Sequence, residues 1–198
     1  MNPIYTVQNN RIALSILNNL DRTRKRKGED RPAPAIRFEI ARKTQLAPGH
    51  YTIDRATALA HNLSLEKARL LFHDIANGHF DQDYQVIFRD HPGSISDRAS
   101  MLSATYRVYS EQHQARVILE IWDGPGTLDS KMGWVYPLNK DEHALAIILD
   151  LAEARQMALT ILAQIQVWET VAALKEYGLI PQMQETRPQQ LSLAGVVV

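Results

Sequence analysis

A histidine and an aspartate stand side by side behind an apolar run, in the stretch ARLLFHDIANGH at residues 68–79. Such a pair can hold a divalent metal through an imidazole nitrogen and a carboxylate oxygen. A metal held in this way can activate a bound water molecule for hydrolysis. His73 and Asp74 are therefore the first candidates for chemistry in this chain.

The segment HYTIDRATALAHNLSLEKARLLFHDIANG, at residues 50–78, resembles the core of the HD phosphohydrolases, a family of metal-dependent enzymes. The resemblance implies that His73 and Asp74 bind metal together with an upstream histidine, which would be His50 or His61. It also implies a late aspartate ligand, for which Asp150 is the candidate.

The residues around the pair favour a solvated helix face over a metal site. His73 falls on the polar side of the helical wheel together with Glu66 and Arg69, whereas Phe72 and Ile75 fall on the opposite side. A metal ligand must point into a shielded pocket. The segment that follows also has the pattern of strands, while the HD domain is helical. We therefore predict that the pair is incidental, that the protein needs no metal or other cofactor, and that it is not an enzyme.

Composition limits the class of protein. The chain has 198 residues, of which 45% are apolar and 22% charged, as in ordinary globular domains. It has no cysteine, which excludes disulfides and thiolate metal sites and fits a reducing compartment. The first residues lack a signal-peptide pattern, and charged residues interrupt the longest apolar stretch, at 144–174. We expect a soluble cytoplasmic protein without membrane contact.

Positive charge is concentrated near the start of the chain. Residues 1–46 hold ten lysines and arginines against four acidic residues, and the remainder holds twelve against eighteen. The stretch RTRKRK has five cations in six positions, enough to neutralise several phosphates of a nucleic acid. We predict a basic arm that binds DNA, RNA or a nucleoprotein complex. The predicted contacts are Arg22, Arg24, Lys25, Arg26 and Lys27, with Arg37, Arg42 and Lys43 extending the same patch.

Four arginines, one of them already named in the patch, occupy outward positions of predicted strands. If those strands belong to one sheet, their guanidinium groups would line its open face and reinforce the arm. The alternative is an ordinary solvated sheet face. The four are Arg37, Arg89, Arg107 and Arg116.

Apolar spacing predicts the elements of the first half of the chain. Ile12, Ile16 and Leu20 recur at helical spacing, so we predict an N-terminal helix and basic arm over residues 1–28, followed by a linker at 29–35. AIRFEIA alternates as a half-buried strand does. Residues 52–77 contain neither glycine nor proline and predict one long helix, or two helices with Ser64 capping the second. A DNA-binding helix-turn-helix within 53–77 is a special case of the second reading.

The second half alternates first and then becomes helical. DYQVIFR, ATYRVYS, ARVILEIW and GWVYP predict strands, and residues 140–177 predict a long helix capped at Asn139. The fold is thus predicted to be α+β: a mostly antiparallel sheet of four to five strands covered by helices, with a long C-terminal helix. Residues 36–177 would form a single domain, and residues 178–198 a flexible tail.

A second functional hypothesis stays open beside nucleic-acid binding. The long alanine-rich helix could bury one face in its own domain and offer another to a partner protein or a second copy, through residues 144–172. The protein would then be an adaptor, an inhibitor or a subunit of a larger assembly, with the C-terminal tail as an additional contact.

Overall fold

The structure, a computed structural model, describes residues 3–26, 29–79, 84–89, 98–109, 114–129, 131, 134–138 and 143–179. These residues form strands and two helices, so the predicted α+β class is confirmed. The elements are β1 Pro3–Gln8, β2 Ile12–Asn19, β3 Thr23–Arg26, β4 Glu29–Pro32, β5 Ala35–Ala47, β6 His50–Ser64, α1 Leu65–Asn77, β7 Gln85–Arg89, β8 Arg98–Tyr109, β9 Gln114–Asp129, β10 Trp134–Pro137, β11 Ala144–Asp150 and α2 Leu151–Glu176.

The strands of the main body divide into two antiparallel sheets. The first sheet has the order β1-β2-β5-β6. In the second sheet β7, β8 and β9 are neighbours, and β11 and β10 pair with successive parts of β9. Strands β3 and β4 pair only with each other among the described residues and form a two-stranded ribbon, the β3–β4 ribbon.

Alternating apolar residues on the two sheets form the core. Ile36, Phe38 and Ile40 of β5 are fully buried, as are Leu119 and Ile121 of β9. The pattern follows from the strand period of two, which sends alternate side chains to one face. The predicted strand AIRFEIA is thereby confirmed.

Helix α1 packs on the first sheet, and a polar contact joins the two sheets. The rings of Phe72 and Phe38 stack with centroids 5.7 Å apart. His61 of β6 is 2% exposed, and its Nδ1 lies 3.0 Å from the Ser100 hydroxyl of β8. A buried polar side chain must be hydrogen-bonded to avoid a desolvation penalty, so this contact fixes where the edge of the first sheet meets the second.

The predicted N-terminal helix is wrong, and so is the linker at 29–35. Residues 12–19 form β2, in which Leu14 pairs with Ile40 and Ile16 with Phe38. These long-range pairs bury Leu14 and Ile16 completely, and their burial outweighs the weak helical preference of the segment. Residues 29–32 form β4, and β5 begins at Ala35.

The helix predicted over residues 52–77 is wrong in its first half. Residues 50–64 form β6, which pairs with β5, so the helix-turn-helix hypothesis is wrong as well. Helix α1 begins at Leu65 with Ser64 in the cap position, as predicted, although the Ser64 side chain makes no capping hydrogen bond. Gly78 ends α1 in the left-handed conformation, with φ 69°.

The long C-terminal helix is confirmed, but it begins later than predicted. Residues 144–150 form β11, whose Leu145, Ile147 and Leu149 are buried. Helix α2 starts at Leu151, and the carboxylate of Asp150 accepts the Glu153 N–H at 2.8 Å. The cap predicted at Asn139 lies outside the described residues.

Helix α2 ends in a hydrogen-bonded glycine turn. The N–H groups of Gly178 and Leu179 donate to the carbonyls of Lys175 and Leu174, at 3.1 and 2.9 Å. Gly178 has φ 67°, which completes a Schellman motif. Most of the predicted tail, residues 180–198, lies outside the described part of the chain.

The chain divides into two compact units, Met1–Ile165 and Gln166–Val198. The first unit contains both sheets, so its N-terminal strands are an integral part of it rather than an appended arm. The described part of the second unit consists of the last turns of α2 and the glycine turn that follows.

Candidate nucleic-acid interface

The His73–Asp74 pair has a structural role at the end of α1. His73 is exposed, whereas the Asp74 carboxylate accepts a 2.8 Å hydrogen bond from the Tyr84 hydroxyl. The backbone carbonyl of Asp74 accepts the N–H of His79 at 3.0 Å. Burial, followed by this hydrogen bond and the Asp74 charge, raises the pKa of the Tyr84 phenol.

The other residues of the HD hypothesis do not converge on this pair. His50 is exposed at the turn between β5 and β6, His61 lies in the core against Ser100, and Asp150 caps α2. Across the described residues, no group of three histidines or acids is placed to hold a metal ion. The HD-type ligand set is therefore not assembled in this part of the chain.

The predicted basic arm is a two-stranded ribbon rather than the end of a helix. Arg24, Lys25 and Arg26 lie in β3, and Lys27 lies outside the described residues. In the backbone register Lys25 stands opposite Asp30, and Arg26 opposite Glu29. The two strands together hold four cationic residues, counting Arg31, against these two acids.

The β3–β4 ribbon is fixed to one end of the first sheet. It lies between β2 and β5 in the chain, at the end where Asn19 pairs with Ala35. The half-buried Arg22 anchors it: its N–H donates to the Asn19 carbonyl at 3.3 Å, and its carbonyl accepts the Ala33 N–H at 2.7 Å. The ribbon thus begins and ends at hydrogen-bonded positions of the sheet.

Arg37, a predicted member of the patch, is paired with an acid. Its guanidinium lies 3.4 Å from the Glu39 carboxylate, and the two side chains are 33% and 28% exposed. An ion pair of this kind neutralises much of the guanidinium charge in the absence of any phosphate. Among the predicted residues whose side chains the structure describes, Arg22, Arg37, Arg42 and Lys43, Arg37 is the one with an ion pair.

Arg42 and Lys43 lie at the other end of the first sheet. Arg42 pairs with Ile12 at the start of β2, whereas the ribbon adjoins the end of β2. Arg42 lies seven positions after Ala35 in β5, which corresponds to about 23 Å at the strand rise of about 3.3 Å per residue. The single patch expected from the sequence is thus divided between two ends of one sheet.

Beyond Arg42, strands β5 and β6 continue as a two-stranded arm, residues 42–57, which we call the β5–β6 arm. Arg42 pairs with Asp54, and the arm turns between Ala47 and His50 through Pro48 and Gly49. Gly49 has φ 79°, and proline followed by a left-handed glycine is the pattern of a type II turn. Every residue from 44 to 53 is exposed.

The base of the arm is a bulge in β6. The register passes from Ile40–Leu59 to Arg42–Asp54, so that residues 55–58 oppose one residue of β5. The Thr57 hydroxyl replaces the missing backbone partner by accepting the Arg42 N–H at 3.0 Å. Bulges of this kind bend a strand and change the direction of its side chains.

Cations cluster around this base. Arg42 and Arg55 are exposed, and the Lys43 ammonium lies 5.3 Å from the centre of the Tyr51 ring. Arg11, also exposed, is held beside the arm because its carbonyl accepts the Lys43 N–H at 2.7 Å. The arm holds three cations and one acid, Asp54, whose carboxylate accepts the Ala56 N–H at 3.0 Å.

The four strand arginines do not line one sheet face. Arg37 lies in the first sheet, whereas Arg89, Arg107 and Arg116 lie in the second. Arg107 and Arg116 are opposite each other, and Arg116 also stands opposite Asp150. The prediction of a common arginine-lined face, which depended on a single sheet, is wrong.

Sequence reasoning missed Arg11, Tyr51 and Arg55. Arg11 and Arg55 lie in segments predicted to be helical, residues 1–28 and 52–77. Tyr51 lies between the predicted elements and has no predicted role. The signal that could have found them is the Pro48-Gly49 turn, which predicts a hairpin once both flanking segments are considered as strands.

Comparisons with known proteins identify the fold. No protein-family model and no curated protein matches the sequence. Among solved structures, WHY1 from Arabidopsis thaliana superimposes with a TM-score of 0.53 at 8% identity, covering 91% of this chain and 94% of that chain. WHY3 from the same plant gives 0.50 at 12% identity, covering 89% and 96%. The plant transcriptional regulator PBF-2 gives 0.49 at 10%, covering 87% and 86%. At identities this low, the likeness to WHY1 and WHY3 shows a shared fold.

Proposed function

We propose that this protein is a non-catalytic accessory or regulatory protein that binds DNA, RNA or a nucleoprotein complex. The observation that carries the proposal is the β3–β4 ribbon beside one end of the first sheet, in which Arg24, Lys25 and Arg26 are consecutive residues of β3. Ordering before binding reduces the conformational entropy lost when a ligand is bound.

Two physical arguments support nucleic acid as the ligand. A run of cations in an extended segment can neutralise several phosphates and release their counterions, which supplies most of the affinity for a polyanion. A two-stranded ribbon is also narrow enough to enter the major groove of a duplex. The proposal therefore covers DNA and RNA, and it commits to the phosphate backbone as the recognised group.

The non-catalytic part of the proposal is supported by the position of the HD residues. His73 is exposed, and the Asp74 carboxylate is engaged by Tyr84. The test is metal analysis of the purified protein together with thermal unfolding in a chelator. We expect no bound transition metal and an unchanged unfolding temperature, whereas a stoichiometric metal whose removal destabilises the protein would contradict this part.

The nucleic-acid proposal is tested by removing charge from the ribbon. Arg24→Gln, Lys25→Gln and Arg26→Gln together remove three cations and keep most of the aliphatic part of each side chain. We expect the affinity for DNA or RNA at low salt to fall at least tenfold, because up to three phosphate contacts are lost. Fluorescence anisotropy with a labelled oligonucleotide measures the change.

A matched control separates the ribbon from net charge. Lys67→Gln, Lys131→Gln and Lys175→Gln remove the same charge from exposed positions elsewhere. We expect this control to lose much less affinity than the ribbon variant. Equal losses in the two variants would show that only net charge matters, and no binding by the wild type would remove the proposal.

The exposed apolar residues of α2 favour a second candidate function, association with another copy of the chain. In the first unit, α2 buries Ala154, Met157 and Ile161 but leaves Leu159 58% exposed. In the second unit, Val167 is 57% exposed. A helix that is apolar on both sides is normally covered on both. By length and composition α2 could also cross a membrane, and 22% of its most apolar stretch is buried in the described structure.

A further inference from the structure

The first sheet has positive charge at both ends, and the proposed function uses only the end at the β3–β4 ribbon. The β3–β4 ribbon adjoins the pair Asn19–Ala35, and the β5–β6 arm begins at the pair Ile12–Arg42. Both ends belong to one antiparallel sheet, and the two positions of β5 from which the ribbon and the arm extend, Ala35 and Arg42, are about 23 Å apart by the strand rise. Between them, Arg37 is paired with Glu39. The two ends are therefore separate positive surfaces.

The arm has features of a contact surface in its own right. Arg42 and Arg55 are exposed at its base, and the described residues show no ion pair for either. Its one acid, Asp54, accepts the Ala56 N–H. Tyr51 adds an exposed aromatic ring beside the Lys43 ammonium. Exposed cations with an aromatic ring among them are the usual means of following a nucleic-acid backbone.

The arm is also built to hold these side chains in place. The Thr57 hydroxyl accepts the Arg42 N–H at 3.0 Å and donates to the Asp54 carbonyl at 2.8 Å, which closes the bulge that contains Arg55. On the other side, the Arg11 carbonyl accepts the Lys43 N–H. Cations whose backbone is fixed in this way lose less entropy when they bind.

We propose that the β5–β6 arm is a second nucleic-acid contact, with Arg42 and Arg55 as its phosphate ligands, and that one polymer bridges the arm and the β3–β4 ribbon. This inference rests on the proposed function of the ribbon. Each strand of a duplex advances about 3.4 Å per nucleotide, so about 23 Å corresponds to about seven nucleotides. A duplex shorter than this reaches one end, and a longer one reaches both. An extended single strand covers more distance per nucleotide and therefore bridges with fewer nucleotides.

Bridging has a measurable consequence. Once one end is bound, the second contact is intramolecular and has a high effective concentration. The affinity of the wild type should therefore rise by more than tenfold as the ligand lengthens past the bridging length, beyond the increase expected from the larger number of equivalent sites. A protein with one contact surface gains only that statistical increase.

The experiment compares Arg42→Gln/Arg55→Gln with the wild type on oligonucleotides of about four and about twenty nucleotides, which lie below and above the bridging length. Both ligands are tested as single strands, and the longer one also as a duplex, because either form offers the same phosphate backbone. Lys67→Gln/Lys175→Gln, two exposed cations elsewhere, is the matched control. Circular dichroism confirms that each variant is folded.

We expect the arm variant to lose the length-dependent gain on at least one of the two long ligands, and the control to keep it. The form that shows the loss is the ligand of the arm. If the arm variant keeps the full gain on both forms while the ribbon variant loses binding, the bridging proposal is overturned and the proposed function stands. If the wild type binds none of these ligands, the proposed function fails, and this inference fails with it.

Discussion

At the scale of single residues, neighbours decide whether a chemically suggestive type acts in chemistry. Asp74 has the right identity and sequence position for a metal ligand, yet its carboxylate accepts the Tyr84 hydroxyl at 2.8 Å. His61, which the HD resemblance implied as a possible ligand, is buried against Ser100. Neither partner could be found from the sequence. Nothing in it distinguishes Tyr84 from the other polar residues that follow Asp74, or Ser100 from those that follow His61. The helical wheel nevertheless correctly placed His73 on the exposed side of α1.

The Tyr84–Asp74 hydrogen bond gives a prediction for stability. Tyr84→Phe removes the hydroxyl that donates to the carboxylate, and we expect the free energy of unfolding to fall by about 1–2 kcal/mol, the usual range for a hydrogen bond to a charged group at a half-buried site. Urea unfolding at neutral pH measures the loss. A variant as stable as the wild type would contradict the structural role of the bond.

The same tyrosine predicts how stability responds to alkaline pH. Its pKa is raised above the ordinary value of 10.0, chiefly by burial. The folded protein therefore keeps the phenol protonated where the unfolded chain begins to ionise, so the contribution of Tyr84 is complete below about pH 10 and declines as the pH rises further. We expect the stability difference between the wild type and Tyr84→Phe to shrink above pH 10. A difference that grows there would contradict this account.

At the scale of elements, only some local features were predicted. The strand AIRFEIA and the Ser64 cap position follow from local chemistry, and the structure confirms them. Strands β2 and β6 were not predicted in this way. Every partner of β2 in β5 is sixteen or more residues away, and the half of β6 that pairs with residues 35–40 has partners nineteen or more residues away. For β2, the alternation of Ile12, Leu14 and Ile16 was available beside the helical spacing. For β11, the sequence Asp150-x-x-Glu153 marked the true start of α2.

The cap of α2 is tested by two substitutions of one residue. Asp150→Ala removes the oxygen that accepts the Glu153 N–H, and we expect a loss of about 1 kcal/mol in unfolding free energy. Asp150→Asn keeps an acceptor for the Glu153 N–H and removes the negative charge. In the wild type, burial and, to a smaller extent, the Asp150 charge raise the pKa of Glu153. We therefore expect the asparagine variant to be close to the wild type in chemical denaturation. Equal losses in the two variants would show that the charge, rather than the cap, is required.

Alanine substitutions at Gly78 and Gly49 together test how much the end of α1 depends on its glycine turn. Both glycines have positive φ, which strains an alanine. The atom nearest to a Cβ at Gly78 would be the tip of the flexible Arg155 side chain, at 2.7 Å, which shifts at little cost, and nothing lies within 4 Å at Gly49. We expect Gly78→Ala to cost more than about 1 kcal/mol in unfolding free energy. Gly49→Ala should cost less, because it strains only an exposed turn. The reverse order in urea unfolding would show that α1 does not depend on this turn.

At the scale of the whole molecule, the sequence correctly located the positive charge in the first 46 residues but not its arrangement. The lysines and arginines can be counted in the sequence without knowledge of the fold. Their separation into a ribbon at one end of the first sheet and an arm at the other follows from the pairing of β2 with β5. An interpretation of residues 12–20 as helix could not give that distance. The cations of the β5–β6 arm and of the β3–β4 ribbon were therefore predicted to form one patch. Arg11, Tyr51 and Arg55 were not predicted to belong to the basic surface around the β5–β6 arm.

Self-association through α2 is a separate expectation at this scale. Leu159→Glu puts a charge on a side chain that is 58% exposed, so the change should leave the fold of the isolated chain intact. If a second copy covers α2, the variant should be monomeric where the wild type is a dimer or larger, because burying an unpaired carboxylate in an interface is costly. Light scattering coupled to size exclusion measures the mass. A monomeric wild type would contradict self-association.

The salt dependence of nucleic-acid binding tests the central claim most directly. The logarithm of the association constant should fall linearly with the logarithm of the salt concentration, and the variant Arg24→Gln/Lys25→Gln/Arg26→Gln should have a slope shallower by about two to three, since each lost phosphate contact removes about 0.7 to 0.9. The same slope in variant and wild type, or no binding by the wild type at any salt concentration, would contradict the account.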